Sequence, residues 1–289
     1  GTIKESGIGL ACEEAARIIL SENRPFSMET AACDEQYEPS SEYDSSFALQ
    51  IFAAREAVFK ILAEESLSIH EKLIVILDMG SKIQQCINTD EYDNIKSVVN
   101  DYLKEGITHT LEETRNLSDS GQFENISLQQ GIRQILYPYE EMEVLNPEWD
   151  VILKDIIDSL FEQMNDEEYN ILNEEFGTYM VSRAYEYRQL LEYLVFRYFA
   201  KSIYDYDFLG KCQMLVTNFF VIRQMDIIRW LDNHREYSFK DRMDVVHIFS
   251  RQVEYSEDNI ENLYEDFIFD DIFKTDSLIA ILWIDSENI

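Results

Sequence analysis

Residues that make turns are scarce in this chain: nine glycines and four prolines in 289 residues. An all-β protein uses them to punctuate many short strands, so the shortage favours helices. Cations are scarce too. Lysine and arginine number 24 against 57 aspartates and glutamates, a formal charge of −33. Such a surface repels phosphate backbones and anionic headgroups, which argues against nucleic-acid and membrane partners, and it attracts a basic one. Long apolar runs are missing. The stretch from Leu190 to Ala200 is broken by Glu192 and Arg197, well short of the roughly 18 residues that a membrane span needs. Cysteines are few and scattered (Cys12, Cys33, Cys86, Cys212), with no C-x-x-C pair. Reduced thiols in a cytoplasm are the simplest expectation.

What is present is a large apolar fraction, 46%, with 17 tyrosines and 17 phenylalanines. Helical periodicity runs almost throughout. Ala48, Ile51, Phe52, Val58, Phe59 and Leu62 recur at helical spacing between Ser46 and Glu65. Ser68 followed by Glu71 forms a capping box, with Leu73, Ile76, Leu77 and Ile83 as the buried stripe. A third helix is expected over Glu91–Glu105, stopped by Gly106. Asn146-Pro147 starts another, with proline at its first position. Tyr187, Leu190, Leu191, Leu194, Val195, Tyr198 and Phe199 share one broad face, with Arg188 and Glu192 as a solvated pair on the other. Gly210–His234 reads as a long helix; Ser238 with Asp241 caps the next, through Tyr255, and Ser256 one more. Two segments lack periodicity, Asn23–Asp44 and Asn116–Asn125. The first reads as a strap, the second as a surface loop. The expected architecture is therefore all-α: a bundle-like domain of about ten helices over residues 45–289, without significant sheet, preceded by a helix and extended strap over 1–44.

A self-contained active site is hard to find. His70, His109, His234 and His247 have no zinc-protease spacing. His247, beside Val246 and Phe249, reads as a hydrogen-bonded core histidine. Gly7-Ile8-Gly9 is a lone G-x-G without the preceding strand that a nucleotide turn requires. Asp244 precedes His247 by three residues, but the second copy that a di-iron bundle uses is missing.

The two ends of the chain, taken together, say more. KESGIGLACEEAARIIL is similar to the E-x-S-L-x-L-S-C-P-E-A-A-R segment of flagellin lysine-N-methylases, through Glu5, Ser6, Leu10, Cys12, Glu14, Ala15, Ala16 and Arg17. Glu13 replaces the family's proline and Ala11 its serine. IFSRQVEYSEDNIENL resembles that family's S-R-E-I-E-H-S-x-x-N stretch through Ser250, Arg251, Glu254, Ser256 and Asn259. EYLVFRYFAKSIYDYD resembles its aromatic-rich helix. The resemblance spans most of the chain, in order.

It implies methyl transfer from S-adenosylmethionine to lysines of flagellin or another Lys-bearing protein, and an iron–sulfur cluster in a cysteine-rich region preceding a C-terminal portion that corresponds to this chain. On that basis neither cofactor is expected on this portion alone. Cys12 is either a remnant of the cluster's ligand set or a small buried apolar residue. Arg251 and Glu254, three apart on a helix, together with Tyr198, are the candidate substrate-binding residues. Arg251 and Glu254 are expected to be at least partly buried as a pair, Arg251 bridging to a second helix, either as a structural clamp or as the lining of a lysine-receiving cleft. Tyr193, Tyr204 and Tyr206 are further candidates to stack on a lysine stem. The alternative function is a non-catalytic helical protein-binding module.

Overall fold

The computed structural model describes residues 9–24, 26–27, 45–119 and 127–287. Among the described residues there is no strand; fourteen α-helices, several joined end to end by 3-10 or π turns, make eleven runs. The first half holds α1 (Glu13–Leu20), α2 (Ser45–Ala63), α3 (Ile69–Asn88), α4 (Ile95–Asp101), α5 (Ile107–Asp119), α6 (Leu128–Glu140) and α7 (Pro147–Ile156). The second holds α8 (Asp166–Met180), α9 (Ala184–Tyr198), α10 (Ser202–Asp205), α11 (Phe208–Asp232), α12 (Phe239–Phe249), α13 (Glu257–Phe269) and α14 (Thr275–Glu287). The all-α expectation is met. No helix among the described residues is long and apolar enough to cross a membrane.

Local signals set most helix starts. Ser68 Oγ accepts from the Glu71 amide (3.2 Å) while the Glu71 carboxylate accepts from the Ser68 amide (2.8 Å). Ser238 and Asp241 repeat this reciprocal box, Asn146 caps α7 with Pro147 at its first position, and Ser256 caps α13. Each satisfies amides that the first helical turn leaves without partners.

Four expectations need correction. Gly106 does not end its helix. The chain passes through a π turn, Tyr102–Gly106, straight into α5. Asp78 on α3 pins both sides of that turn, accepting from the Tyr102 hydroxyl and from Thr110 Oγ1 (2.7 Å). Gly106 is not in the left-handed conformation of a helix-ending glycine; a Cβ there would lie 3.1 Å from the Asp101 carbonyl oxygen, so it admits the wide turn instead. The loop expected over Asn116–Asn125 is helical as far as Asp119, and residues 120–126 lie outside the described residues, as do residues 28–44 of the expected strap. The long helix α11 starts at Phe208, with Asp207 accepting from the Gly210 amide at 2.8 Å. It ends before His234 and Arg235, both left-handed. Arg188 and Glu192 do pair at 2.7 Å, but their side chains are only 12% and 3% exposed. The segment after α1 crosses over them: Arg188 donates to Asn23 Oδ1 and the Arg24 carbonyl, and Gln189 to the Glu22 carbonyl. Periodicity on α9 could not announce that cover.

The centre of the molecule is α11, buried along nearly its whole length and flanked by α3, α6, α7, α9 and α12. Its closest approach is to α3. A Cβ on Gly80 would lie 2.5 Å from Cys212 Sγ and 3.2 Å from its Cβ. Gly80→Ala is therefore expected to cost about 1–3 kcal/mol through overpacking. Adding Cys212→Ala, which vacates the sulfur's position, should recover part of that loss in thermal denaturation; equal losses with and without it would show that the crossing is not the cause.

Candidate functional site

The segment after α12 is where the sequence placed its candidates, and the structure separates them. Residues Ser250–Glu254 form a π turn that prolongs α12. Its wider turn, closed by i→i+5 bonds, puts residues three apart on different faces, so the expected pairing of Arg251 with Glu254 is not made. Arg251 is exposed, which corrects the expected burial and bridge. Glu254 is buried, 9% exposed, on the opposite side against α9. The Tyr193 hydroxyl donates to Glu254 Oε2 at 2.6 Å and the Tyr198 hydroxyl at 3.4 Å. Burial pushes the Glu254 carboxyl above its ordinary range, against the pull of the Tyr193 hydroxyl and of Arg197. Ser250 lies close enough to favour the charge, yet Oε1 makes no hydrogen bond of good geometry. Tyr204 and Tyr206 lie apart at the surface, Tyr206 left-handed and stacked on Phe47 with centroids 5.0 Å apart.

Arg251 instead lines a cleft of about 720 Å³ between α7, the end of α11, and α12. Pro147, Val151, Ile152, Ile228 and Ile248 give it apolar walls; Glu148, Asp155, Asp232 and Asp244 outnumber Arg229 and Arg251 on its rim. His247 also lines it, and here a further expectation fails. The residue is half-buried, and its Nδ1 is buried without a hydrogen-bond partner among the described residues. It is a cleft residue with an unmet ring nitrogen, not a satisfied core histidine. Leaving such an atom unpaired costs about 1–3 kcal/mol.

Two buried ionic networks hold the helices around these features, and sequence reasoning missed both. Arg242 on α12 bonds Glu186 of α9 (2.9 Å) and Asp226 of α11 (2.6 Å), all three essentially inaccessible. The Tyr187 hydroxyl (2.5 Å) and the Tyr237 hydroxyl also donate to Asp226. Burial pushes the Asp226 carboxyl up while Arg242 and the hydroxyls draw it down; the geometry, three donors on one carboxylate, is that of the ionised pair. Below, Asp285 of α14 takes Arg223 of α11 (2.8 and 2.9 Å), His70 of α3 (2.6 Å) and Asn173 of α8. Burial opposes its charge, but Arg223 and His70 outweigh that and hold the carboxyl below its ordinary range. The partners lie between 11 and 215 residues apart, so no spacing in the sequence marks them.

The described residues do not fit an iron–sulfur cluster, which usually takes four thiolates. Cys12 is exposed at the N-cap of α1, which corrects the expectation of a buried apolar residue; Cys86 is on α3, and Cys212 is buried on α11. Among the described residues no group of His, Cys, Asp and Glu is arranged to hold a metal ion.

Comparison with curated proteins and with solved structures found no match. The profile of the FliB lysine N-methylase C-terminal domain matches residues 55–281, which include α3 to α13, the cleft and the Arg242 network, and stop short of Asp285. The chain therefore belongs to the FliB lysine N-methylase C-terminal domain family.

Proposed function

We propose that this chain is the lysine-receiving body of a cytoplasmic protein lysine N-methylase acting on flagellin or another Lys-bearing protein, and that the cleft between α7, α11 and α12 admits the lysine side chain. The observation that carries this is an acid-rimmed cleft with apolar walls, lined also by His247. A lysine amine has a pKa near 10.4 in water and attacks a methyl group only when neutral. Glu148, Asp155, Asp232 and Asp244 recruit the ammonium. Val151, Ile152, Ile228 and Ile248 take the methylene stem and strip water from the head, which weakens its hold on the proton. The His247 imidazole on the cleft wall accepts that proton, freeing the nitrogen lone pair. The methyl donor, S-adenosylmethionine in this proposal, and the iron–sulfur cluster belong outside the described residues, and none of these steps depends on where they sit.

In the intact protein, His247→Gln is expected to lower kcat for flagellin methylation by roughly 10²–10⁴-fold, with Asp244→Asn raising KM. Melting temperatures should stay close to the parent's, since the ring is half-buried and its Nδ1 makes no bond to lose. Unchanged methylation in His247→Gln would remove the catalytic part of the proposal. If cleft variants then weakened flagellin binding alone, the non-catalytic binding module would take its place.

A further inference from the structure

The two faces of the Ser250–Glu254 turn touch different things. One face, through Arg251 and with Asp244, His247 and Ile248 behind it on α12, forms a wall of the cleft. The other presents Glu254 to Tyr193 and Tyr198. Tyr193 is not the end of that chain. Its only proton is given to Glu254, and its hydroxyl oxygen accepts from the Leu10 amide at 3.3 Å, across 183 residues. Leu10 is itself buried at 2% exposure, Gly9 supplies the carbonyl that takes the Cys12 amide (3.0 Å), and α1 lies directly on α9 and α12. The line from the backbone before α1 to the cleft wall is therefore Leu10, Tyr193, Glu254, the π turn, Arg251 and His247. Among the described residues Glu254 Oε1 has no hydrogen bond of good geometry, so the two tyrosine hydroxyls on Oε2 are the directional contacts of the carboxylate, with Arg197 adding its charge.

We infer that Glu254 is a positioning residue: through Tyr193 it couples the seating of the Gly9–Leu10 segment to the placement of Arg251 and His247 in the cleft. A π turn suits this role, since it holds one residue more than the α-helical turn would, and a change of register on one face rotates the other. A purely structural clamp would share the bonds but not the coupling. The significance for lysine recognition rests on the cleft proposal above; the coupling itself does not.

The test uses the whole chain. In Tyr193→Phe, which keeps the ring and deletes the link, hydrogen exchange at the Leu10 amide should accelerate by about tenfold or more, and the His247 ring resonances should move. Glu254→Ala, which deletes the acceptor in place of the donor, should do the same. Glu254→Gln, which keeps an acceptor oxygen of the same shape, should restore both readouts towards the parent. Faster Leu10 exchange with a stationary His247 ring would overturn the coupling. No change at Leu10 would overturn the tether. Unfolding of both Tyr193→Phe and Glu254→Ala at 25 °C would reduce the cluster to a clamp and overturn the proposal as well. Failure of His247→Gln to affect methylation would leave these measurements standing, so the two proposals fail separately.

Discussion

Arg242→Ala is expected to destabilise the protein at neutral pH by about 3–5 kcal/mol, a fall in melting temperature on the order of 10 °C for a chain of this size. The guanidinium is fully buried between Tyr187 and Tyr237, its carbon 4.5 and 5.4 Å from the ring centroids, and bonded to Glu186 and Asp226. Without it, Glu186 keeps Arg183 (2.7 Å). Asp226 keeps only the tyrosine hydroxyls in a site that already pushes its carboxyl up. The variant should therefore take up a proton on Asp226 when folded. A carboxyl whose folded pKa is raised disfavours the folded state as pH rises through that pKa. The deficit should accordingly be largest near pH 7 and shrink towards about pH 5. Replacing the pair together, Arg242→Met with Asp226→Leu, should recover much of the loss, because well-packed apolar groups do as well as a buried ion pair. A deficit below about 1 kcal/mol in Arg242→Ala would show that the network contributes little.

Asp285→Asn makes a pH prediction that falls in a lower window. Asp285 joins α14 to α3, α8 and α11, and its loss strands Arg223 and His70 in the core. The expected cost at pH 7 is again about 3–5 kcal/mol. Here the folded carboxyl is held below its ordinary range, so its stabilisation is complete above the unfolded value of about 3.9 and is lost as pH falls below it. Parent and variant stabilities should run parallel from neutral pH to about pH 5 and converge below about pH 4. Denaturant melts across that range decide the matter. A constant gap down to pH 3 would mean that shape, not charge, is what Asp285 supplies.

Much of the fold was legible in the residues because the signals that carried it act within one helical turn. Ser68 with Glu71, Ser238 with Asp241, Asn146-Pro147 and Ser256 each meet amides two or three residues away. A helix start needs nothing from the rest of the chain. The same locality explains the failures. Gly106 carried the signature of a helix stop, but Asp78 on α3 recruits Tyr102 and Thr110 and the helix runs on. Arg251 and Glu254 had the spacing of a pair in an α-helix and were parted by a π turn.

The sequence by itself determined that this chain would be helical, where most helices begin, and which side chains would fill the core, since propensity, capping and apolar period are properties of neighbouring residues. Tertiary structure alone decided which charges would be buried and what they would meet. The Arg188–Glu192 pair lost its solvent because residues 22–24 cross over α9. His247 was left beside the cleft between α7, α11 and α12 with a buried ring nitrogen that meets no partner among the described residues. The cost of burying a charge or an unpaired nitrogen depends on what covers it and what faces it, and both arrive from distant parts of the chain.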